Sequence, residues 1–571
     1  MKNQLVAEIF YEIADLLDLK GEIFFKTRAY RMAAQTIEVM EEDIETIVLE
    51  GRLQSISGIG EALAKKIKEI VETGKLEYLE KLKKEVPEGL LDILNIPGLG
   101  PKKVASLYKN LGITTIEELR KACLDGKLRN LDGFGALTEL NILRGIDLQQ
   151  KTTGRVLINV AYNDGNNYIA YLKNCKQIDK ISIAGSLRRM KETIGDVDIL
   201  ASSESPDKVM DYFVKYVDVD RVLLKGSTKT SVLLHDNLQV DLRVVKKESF
   251  GSALQYFTGS KEHNVKMRSL AIKKGYKLSE YGLFNKKTDK YVVGRTEEEI
   301  YHKLGLDYIE PELRENSGEI EAAKDKKLPK LVGYDDILGD FHVHSNLSDG
   351  TNSIEEIAQA SKSLGYKFVC ITDHSQSLKI ANGLTEDRID KKIKKIKELN
   401  EKMDGFRIFC GTECDIKSDG SMDYSDRILK KFDLVYAAIH TAFKMDGPTA
   451  TKRIVKALEN EHVHALAHPT CRMIGRRAPF DLDIEQIMDV AKQTNTFLEI
   501  NAFPDRLDLK DTHVKLAKER EVKIIIGTDS HFISNLPFIH FGIATARRGW
   551  LEKKDIINTY NLKDIEKILG V

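Results

Sequence analysis

Cysteine is scarce in this sequence: six residues in 571, scattered, with no Cys-x-x-Cys pair. A fold stapled by disulfides is thereby excluded, and the six fit reduced thiols in a cytosolic protein. Long hydrophobic runs are missing too. None reaches the roughly 20 apolar residues that cross a bilayer, which excludes a helical membrane protein. Nothing resembles a targeting leader: Met1-Lys2-Asn3 runs straight into an amphipathic stretch, Leu5, Val6, Ile9, Phe10 and Ile13, so a cytoplasmic protein is expected. Neither sign of charge dominates, with Lys+Arg and Asp+Glu at 88 each. A globally basic nucleic-acid binder is excluded, and any such binding falls to local patches.

What is present is length, enough for three or four domains, with 42% apolar and 31% charged residues, the balance of an ordinary soluble protein. Histidine is unevenly spread: ten of thirteen lie between 342 and 540. Residues 1–150 read as short helices broken by glycine turns. Three of these turns are alike: Ser57-Gly58-Ile59-Gly60, Pro97-Gly98-Leu99-Gly100 and a degenerate Asp132-Gly133-Phe134-Gly135. Gly-x-Gly between helices turns the backbone tightly and leaves amide N–H groups free at the next helix start, which suits a phosphate oxygen. A plain helix–helix turn is the alternative for any single copy; repetition with following lysines (EALAKKIKEI, PKKVASLYKNL) favours phosphate. Lys66 borders the apolar stripe Leu63, Ile67, Ile70, Val71. A partly desolvated lysine can be a free amine able to attack an aldehyde; a solvated lysine facing DNA is the other reading.

The order and spacing of these turns resemble the helix-hairpin-helix motifs of DNA polymerase beta and other family X polymerases. The resemblance implies that Gly58, Gly60, Gly98 and Gly100 contact the DNA backbone, that Lys66 forms the Schiff base of 5′-deoxyribose-phosphate lyase chemistry, and that Lys26, in FFKTRAYRMAA, grips a 5′-phosphate. Phe25 stands where polymerase beta has a histidine.

Residues 151–310 mix helices with β-rich runs. In AGSLRRMKETIGDVDIL (184–200), Asp196 and Asp198 are two apart on an apolar run and share one face of a strand. Two carboxylates so close repel unless a cation lies between them. Asp241, in LQVDLRVV, supplies a third from another strand. Hard oxygen ligands suit Mg²⁺ bridging to phosphates. Gly185 and Ser186 offer backbone and hydroxyl donors to a triphosphate, and Arg188 and Arg189 supply positive charge. An aspartate pair alone is a weak signal; GS-x-RR followed by G-D-x-D and a later strand aspartate is the nucleotidyltransferase pattern. YFTGSKEHNVKMR (256–268) resembles the fingers entry of family X polymerases. The resemblance places Tyr256 and Phe257 against the incoming sugar, gives Gly259 a close backbone approach, sets Asn264 at the minor-groove edge of the base and Arg268 toward the template. Lys261 departs from an acidic residue in polymerase beta.

ENSGEIEAAKDKKLPK (315–330) is charged and poor in apolar residues, and reads as a linker. From about 338, short apolar strands alternate with amphipathic helices. Metal-capable residues fall at strand ends throughout: His342, His344, Asp349, His374, Glu413, His440, His468, Asp529 and His531. A lone histidine at a strand end is usually structural; nine such residues from successive βα junctions point to two or three Zn²⁺ or Mn²⁺ ions and phosphoester hydrolysis. This half resembles the polymerase and histidinol phosphatase (PHP) family. The resemblance implies one ion on His342, His344, Glu413 and Asp529, a second on Glu413, His440 and His468, and a third on Asp349, His374 and His531. Arg472, Arg476 and Arg477 read either as a phosphodiester contact or as a solvated basic loop.

The expected architecture is therefore multidomain. A helical lyase-like region (1–90) and a second helix-hairpin-helix region (91–150) precede an α+β nucleotidyltransferase palm (151–250). A nucleotide-selecting, thumb-like subdomain (251–315), a linker (316–337) and a PHP domain built as a distorted (β/α)7 barrel (338–571) follow. The whole resembles bacterial and archaeal family X polymerases with a carboxy-terminal PHP domain. That implies gap-filling synthesis in base excision repair with Mg²⁺, deoxynucleoside triphosphates and gapped or primer-template DNA, and 3′→5′ exonuclease or abasic-site cleavage. A nucleoid-associated monomer is expected. The competing reading makes the last domain a small-molecule phosphatase of the histidinol phosphatase type.

Overall fold

A computed structural model describes residues 2–571 except 21–23, 39, 41–42, 57, 88, 95, 97–98, 132 and 153. The chain divides into two compact units, residues 1–153 with 475–478 and residues 154–474 with 479–571. The first is helical, as expected, from Lys2–Leu19 to Ala136–Thr152, around one apolar core that includes Phe10, Ile13, Leu17, Ile67, Ile70, Val104 and Leu107. Gly60 caps the helix Glu61–Thr73 and Gly100 caps Pro101–Leu111, both with extended backbone. Gly58, at φ +83°, needs the left-handed region that glycine tolerates. Gly98 lies outside the described residues.

The second unit opens with a palm. Strands β1 (Val156–Leu157) and β3 (Thr193–Ile194) pair antiparallel. Five more strands form a sheet in the order β2-β4-β7-β6-β5: β2 (Lys180–Ile183), β4 (Asp196–Ser202), β5 (Val219–Lys225), β6 (Lys229–Leu234) and β7 (Gln239–Val245). Alternation along β4 sends Val197, Ile199 and Ala201 into the palm core and leaves Asp196 and Asp198 on the other face. The parallel pairing of β4 with β7 sets Asp198 beside Asp241. A thumb follows, with helices Phe250–Thr258, Lys261–Lys273 and Glu297–Lys303 around strands β8 (Tyr276–Ser279), β9 (Gly282–Asn285) and β10 (Tyr291–Val293).

The expected linker is folded instead. Helix Glu319–Lys324 packs Ile320 and Ala323 into the thumb core, and Glu319, fully buried, bonds His263 Nδ1 at 2.7 Å. Val332 and Ile337 join the core of the last domain. Charge density suggested solvent, but the glutamate goes inside with a buried imidazole for a partner.

Seven parallel strands in sequential order make the last domain: β11 (Gly339–Val343), β12 (Phe368–Ile371), β13 (Arg407–Asp415), β14 (Leu434–Ala438), β15 (Ala465–Leu466), β16 (Phe497–Asn501) and β17 (Ile524–Gly527). Both faces of each strand are buried, which explains their unbroken apolar runs. Phe341, Phe368, Phe409, Tyr436 and Phe497 form one packed cluster, and Val343, Val369, Ile371, Ile408 and Ile526 point the other way into a second. First and last strands meet at their ends: the His344 amide donates to Ser530 O and the Asp529 amide to His342 O. Asp340 ties the same seam to the Thr528 amide and hydroxyl. The sheet is a nearly closed barrel.

Candidate active sites

The palm brings Asp196, Asp198 and Asp241 together, with one carboxylate oxygen of each within 4.8 Å of the others. Burial, then the charges of Asp196 and Asp241, push the Asp198 carboxyl up to about 7. Burial and the charge of Asp241 raise Asp196 as well. Burial opposes ionisation of Asp241 too, but hydrogen bonds from Lys229, Gln239 and Ser231 hold it low. Lys229 Nζ lies 2.5 Å from Asp241 Oδ2 and Gln239 Nε2 2.8 Å from Oδ1. Three hard oxygen donors whose mutual repulsion raises two of the three fit a Mg²⁺ site, because a cation removes the repulsion.

The turn before this cluster is built on Gly185. It sits at φ +63°, and a Cβ there would fall 2.2 Å from Asp198 Oδ2. Conformation and space both demand glycine. Ser186 is half-buried beside it. Arg188 is taken up by the buried Glu297, at 2.6 Å, and by Thr258 Oγ1. Arg189 donates to Thr258 O and, through Nε, to Glu315 at 2.9 Å. Its guanidinium also borders Gly259, where a Cβ would lie 3.1 Å from Nη1. The GS-x-RR turn and the YFTGS turn are therefore neighbours. Tyr256 and Phe257 meet edge to face, and Arg243 lies over the Phe257 ring. Asn264 accepts from Gln255 and donates to Tyr256 O, while Arg268 is exposed. In the helical unit, Lys66 is half-buried with Nζ 4.9 Å from the Tyr78 ring centre, and Lys26 Nζ is 5.9 Å from the same ring.

All nine expected ligands of the last domain converge at the carboxyl ends of the strands. His344, Asp349, His374 and His531 form one group, His342, His344, Glu413 and Asp529 another, and His374, Glu413 and His440 a third. His468 Nε2 approaches Glu413 Oε1 at 2.7 Å. His344 and His374 thus each belong to two groups, a sharing that differs from the expected partition. Glu413 is the hub. Burial opposes its ionisation, yet the imidazoles of His440, His342 and His374 hold it well below its ordinary value. His440 is raised to about 10, burial being overcome by Glu413 and Asp415, whereas burial and the neighbouring His374 and His531 drive His344 down to about 4. Two of the nine, His468 (φ +27°) and Asp529 (φ +55°), have backbone in the region that non-glycine residues rarely occupy.

A second layer fixes the rings. His342 Nδ1 donates to Glu499 Oε1 at 2.6 Å, His440 Nδ1 to Asp415 at 3.0 Å and His531 Nδ1 to Asp529 O at 2.8 Å. Each bond leaves the Nε2 lone pair facing inward, the arrangement that metal-ligating histidines use. His342 also stacks on Tyr436 of the cluster beneath. Among the described residues, four buried atoms in the pocket have no hydrogen-bond partner: His344 Nδ1, His374 Nδ1, Glu413 Oε2 and His468 Nδ1. Unsatisfied buried donors and acceptors are costly. Mixed nitrogen and oxygen donors of this kind fit Zn²⁺ or Mn²⁺.

Sequence reasoning missed Glu499, Asp415, Arg506 and Lys392. Asp415 lies two residues beyond Glu413 on one strand face, and Glu499 is a lone charge in an apolar strand; both signals were there to read. Arg506 Nε lies 3.4 Å from Asp529 Oδ2. Lys392, fully buried, bonds Ile371 O, Gly411 O and Asp373, next to His374. Arg472 is neither solvated nor aimed at the ligands: it holds Glu192 of the palm and the carbonyls of Arg506 and Leu507.

Known families match four stretches of this architecture, and one relative spans the whole chain. Residues 1–76 match a helix-hairpin-helix domain, 90–147 a SAM-like helix-hairpin-helix tandem, 253–315 the DNA polymerase beta thumb and 340–503 the PHP domain. A DNA polymerase/3′-5′ exonuclease PolX of Bacillus subtilis (strain 168) is 41% identical over 100% of this chain and 99% of its own. A probable phosphatase of Thermoanaerobacter sp. (strain X514) is 29% identical across 40% of this chain and 91% of its own length. One from Acetivibrio thermocellus is 29% identical across 34% and 78%.

Proposed function

This chain belongs to the family X DNA polymerase/3′-5′ exonucleases that carry helix-hairpin-helix motifs, a polymerase beta thumb and a carboxy-terminal PHP domain, and on that premise we propose that it fills short gaps in DNA at the palm and trims 3′ ends in the barrel. Full-length identity of 41% carries the reading, supported by three palm carboxylates within 4.8 Å of one another. Asp196, Asp198 and Asp241 would hold Mg²⁺, which when bound neutralises phosphate charge and eases attack by a primer hydroxyl. The chain's own groups do the rest. Gly185 lets the backbone close on a triphosphate, Ser186 donates a hydroxyl hydrogen bond, and Arg189 supplies charge. Tyr256, Phe257 and Gly259 form the floor for the sugar; Asn264 and Arg268 face base and template. Gly58, Gly60, Gly98 and Gly100 would contact the DNA backbone. Lys66, with Lys26 near the same tyrosine, would carry 5′-deoxyribose-phosphate lyase chemistry. The nine barrel ligands would hold two or three Mn²⁺ or Zn²⁺ ions, which when bound activate water and polarise phosphate. Arg506 stands beside them as a cation for the scissile phosphodiester. Gapped or primer-template DNA and deoxynucleoside triphosphates are the substrates. No helix among the described residues is long and apolar enough to cross a membrane.

The 29% similarity of the barrel to probable phosphatases favours a second reading, small-molecule phosphomonoester hydrolysis. One experiment addresses both. On a gapped duplex, D196A/D198A should lose extension and keep 3′ degradation, and H344A/D529A should do the reverse. Extension that survives D196A/D198A sinks the palm assignment. Histidinol phosphate turned over faster than primer DNA by the intact chain moves the barrel to the second reading.

A further inference from the structure

The polymerase half and the barrel half of the second unit are joined by ion pairs at one palm segment, Arg189–Glu192. Arg548, on the barrel helix Ile539–Arg548, is buried. Its Nη1 donates to the Arg189 carbonyl at 2.7 Å and to Glu315 Oε1 at 3.1 Å, and its Nη2 donates to Asp511. Glu315 Oε1 is the same atom that accepts from Arg189 Nε at 2.9 Å, and Lys191 Nζ approaches it at 3.9 Å. One carboxylate is thus divided among three cations. Met190 follows Arg189 in the left-handed region, φ +52°, so the Arg189 carbonyl is turned out of the short helix Gly185–Arg188 toward Arg548. At the other end of the segment Glu192 is held by Arg472 at 2.7 Å.

Electrostatics give this sharing a consequence. A carboxylate with a single partner grips it; one divided among three grips each less. With Arg548 in place, Arg189 is held in position against Thr258 and Gly259 yet can be surrendered to a stronger anion. Without Arg548, Glu315 would turn wholly to Arg189 and Lys191, and the Arg189 carbonyl would lose its donor. We propose that Arg548, a barrel residue, is a positioning residue for nucleotide binding at the palm, acting through Glu315 on Arg189. The proposal rests on the reading that Gly185–Arg189 receives the triphosphate.

Arg548 also lines a cavity of about 120 Å³ with Lys191, Lys510, Thr512 and Thr545. Truncation would enlarge an existing polar space that water can fill, so the variant should fold. Steady-state gap filling by the full chain tests the idea, with 3′ degradation by the same preparation as a control on folding. R548A should raise KM for the nucleotide about tenfold with kcat nearly unchanged and 3′ degradation intact. R548K, which keeps the charge, should recover part of the loss. E315Q introduced into R548A should lower KM again, because a carboxamide no longer competes for Arg189. An unchanged KM in R548A, or an E315Q that only worsens R548A, overturns the proposal. So does a parallel fall of extension and 3′ degradation. If instead extension persists in D198N, the palm reading itself fails, and that result is separate from any change in KM.

Discussion

The palm and the barrel each gather acidic groups around cations, but by opposite means. The palm uses three carboxylates from two adjacent strands, with Lys229, Gln239 and Ser231 bonded to Asp241. The barrel uses nine groups from six of its seven strands and orients three of its imidazoles from a second layer. A site that must admit a nucleotide and release pyrophosphate each cycle needs carboxylates whose charge is relieved only when substrate and cation arrive. A site that hydrolyses whatever 3′ end reaches it profits from ligands set in advance. Proton occupancy follows the same division: near-neutral titration of Asp198 in the palm, and in the barrel a carboxylate hub held ionised by imidazoles.

The contrast breaks most sharply at Gly185. Alanine there meets both a left-handed backbone and Asp198 Oδ2. G185A should cut extension about a hundredfold, the scale of an ångström's misplacement, while 3′ degradation stays within twofold. Equal losses of both activities would mean that the two sites are not independent in the way described. The barrel's preorganisation is sharpened by E499Q. It removes the anionic acceptor of His342 Nδ1 without touching a candidate ligand, so affinity for Mn²⁺ or Zn²⁺ should drop about ten- to a hundredfold, read by chelator competition; no change would deny the second layer its role. The smallest effect is in pH. Asp198, raised from 3.8 to about 7 by burial and neighbouring carboxylates, keeps its proton below neutrality and must give it up to bind Mg²⁺. Affinity for Mg²⁺ at the palm should therefore weaken about tenfold per unit as pH falls below 7 and level off above it. Calorimetry in buffers of different ionisation enthalpy should show proton uptake by buffer at pH 6 and little at pH 8.5. A flat profile would place Asp198 in the ordinary carboxylate range.

Legibility in the sequence tracked locality. Asp196 and Asp198 were readable because a strand's period puts alternate residues on one face, and the nine barrel ligands because each stands at the end of an apolar run. The helical amino-terminal region, the palm strands, the thumb and the parallel barrel followed from the same patterns and from family resemblance. What escaped was nonlocal. Arg189 reads as a phosphate ligand in its own segment; its ion pair depends on Glu315 and on Arg548, a residue of another domain. Glu319 looked like a solvated linker residue because nothing nearby reveals that His263 waits for it in the thumb. Lys392 sits in a helix crowded with lysines, and its burial is decided by strand carbonyls on β12 and β13. Single-residue chemistry can be read along a chain, whereas pairing between distant charges cannot.

The seam that joins the first barrel strand to the last has a temporal side. Asp529 and His531 leave the ribosome long after Asp241, on the order of tens of seconds at ordinary elongation rates. The nascent chain thus carries every palm aspartate well before it can cut, and no partially translated product holds a finished degrading centre. Arg548 emerges later still. A chain cut short before it would keep the palm aspartates yet bind nucleotide with the raised KM expected of R548A.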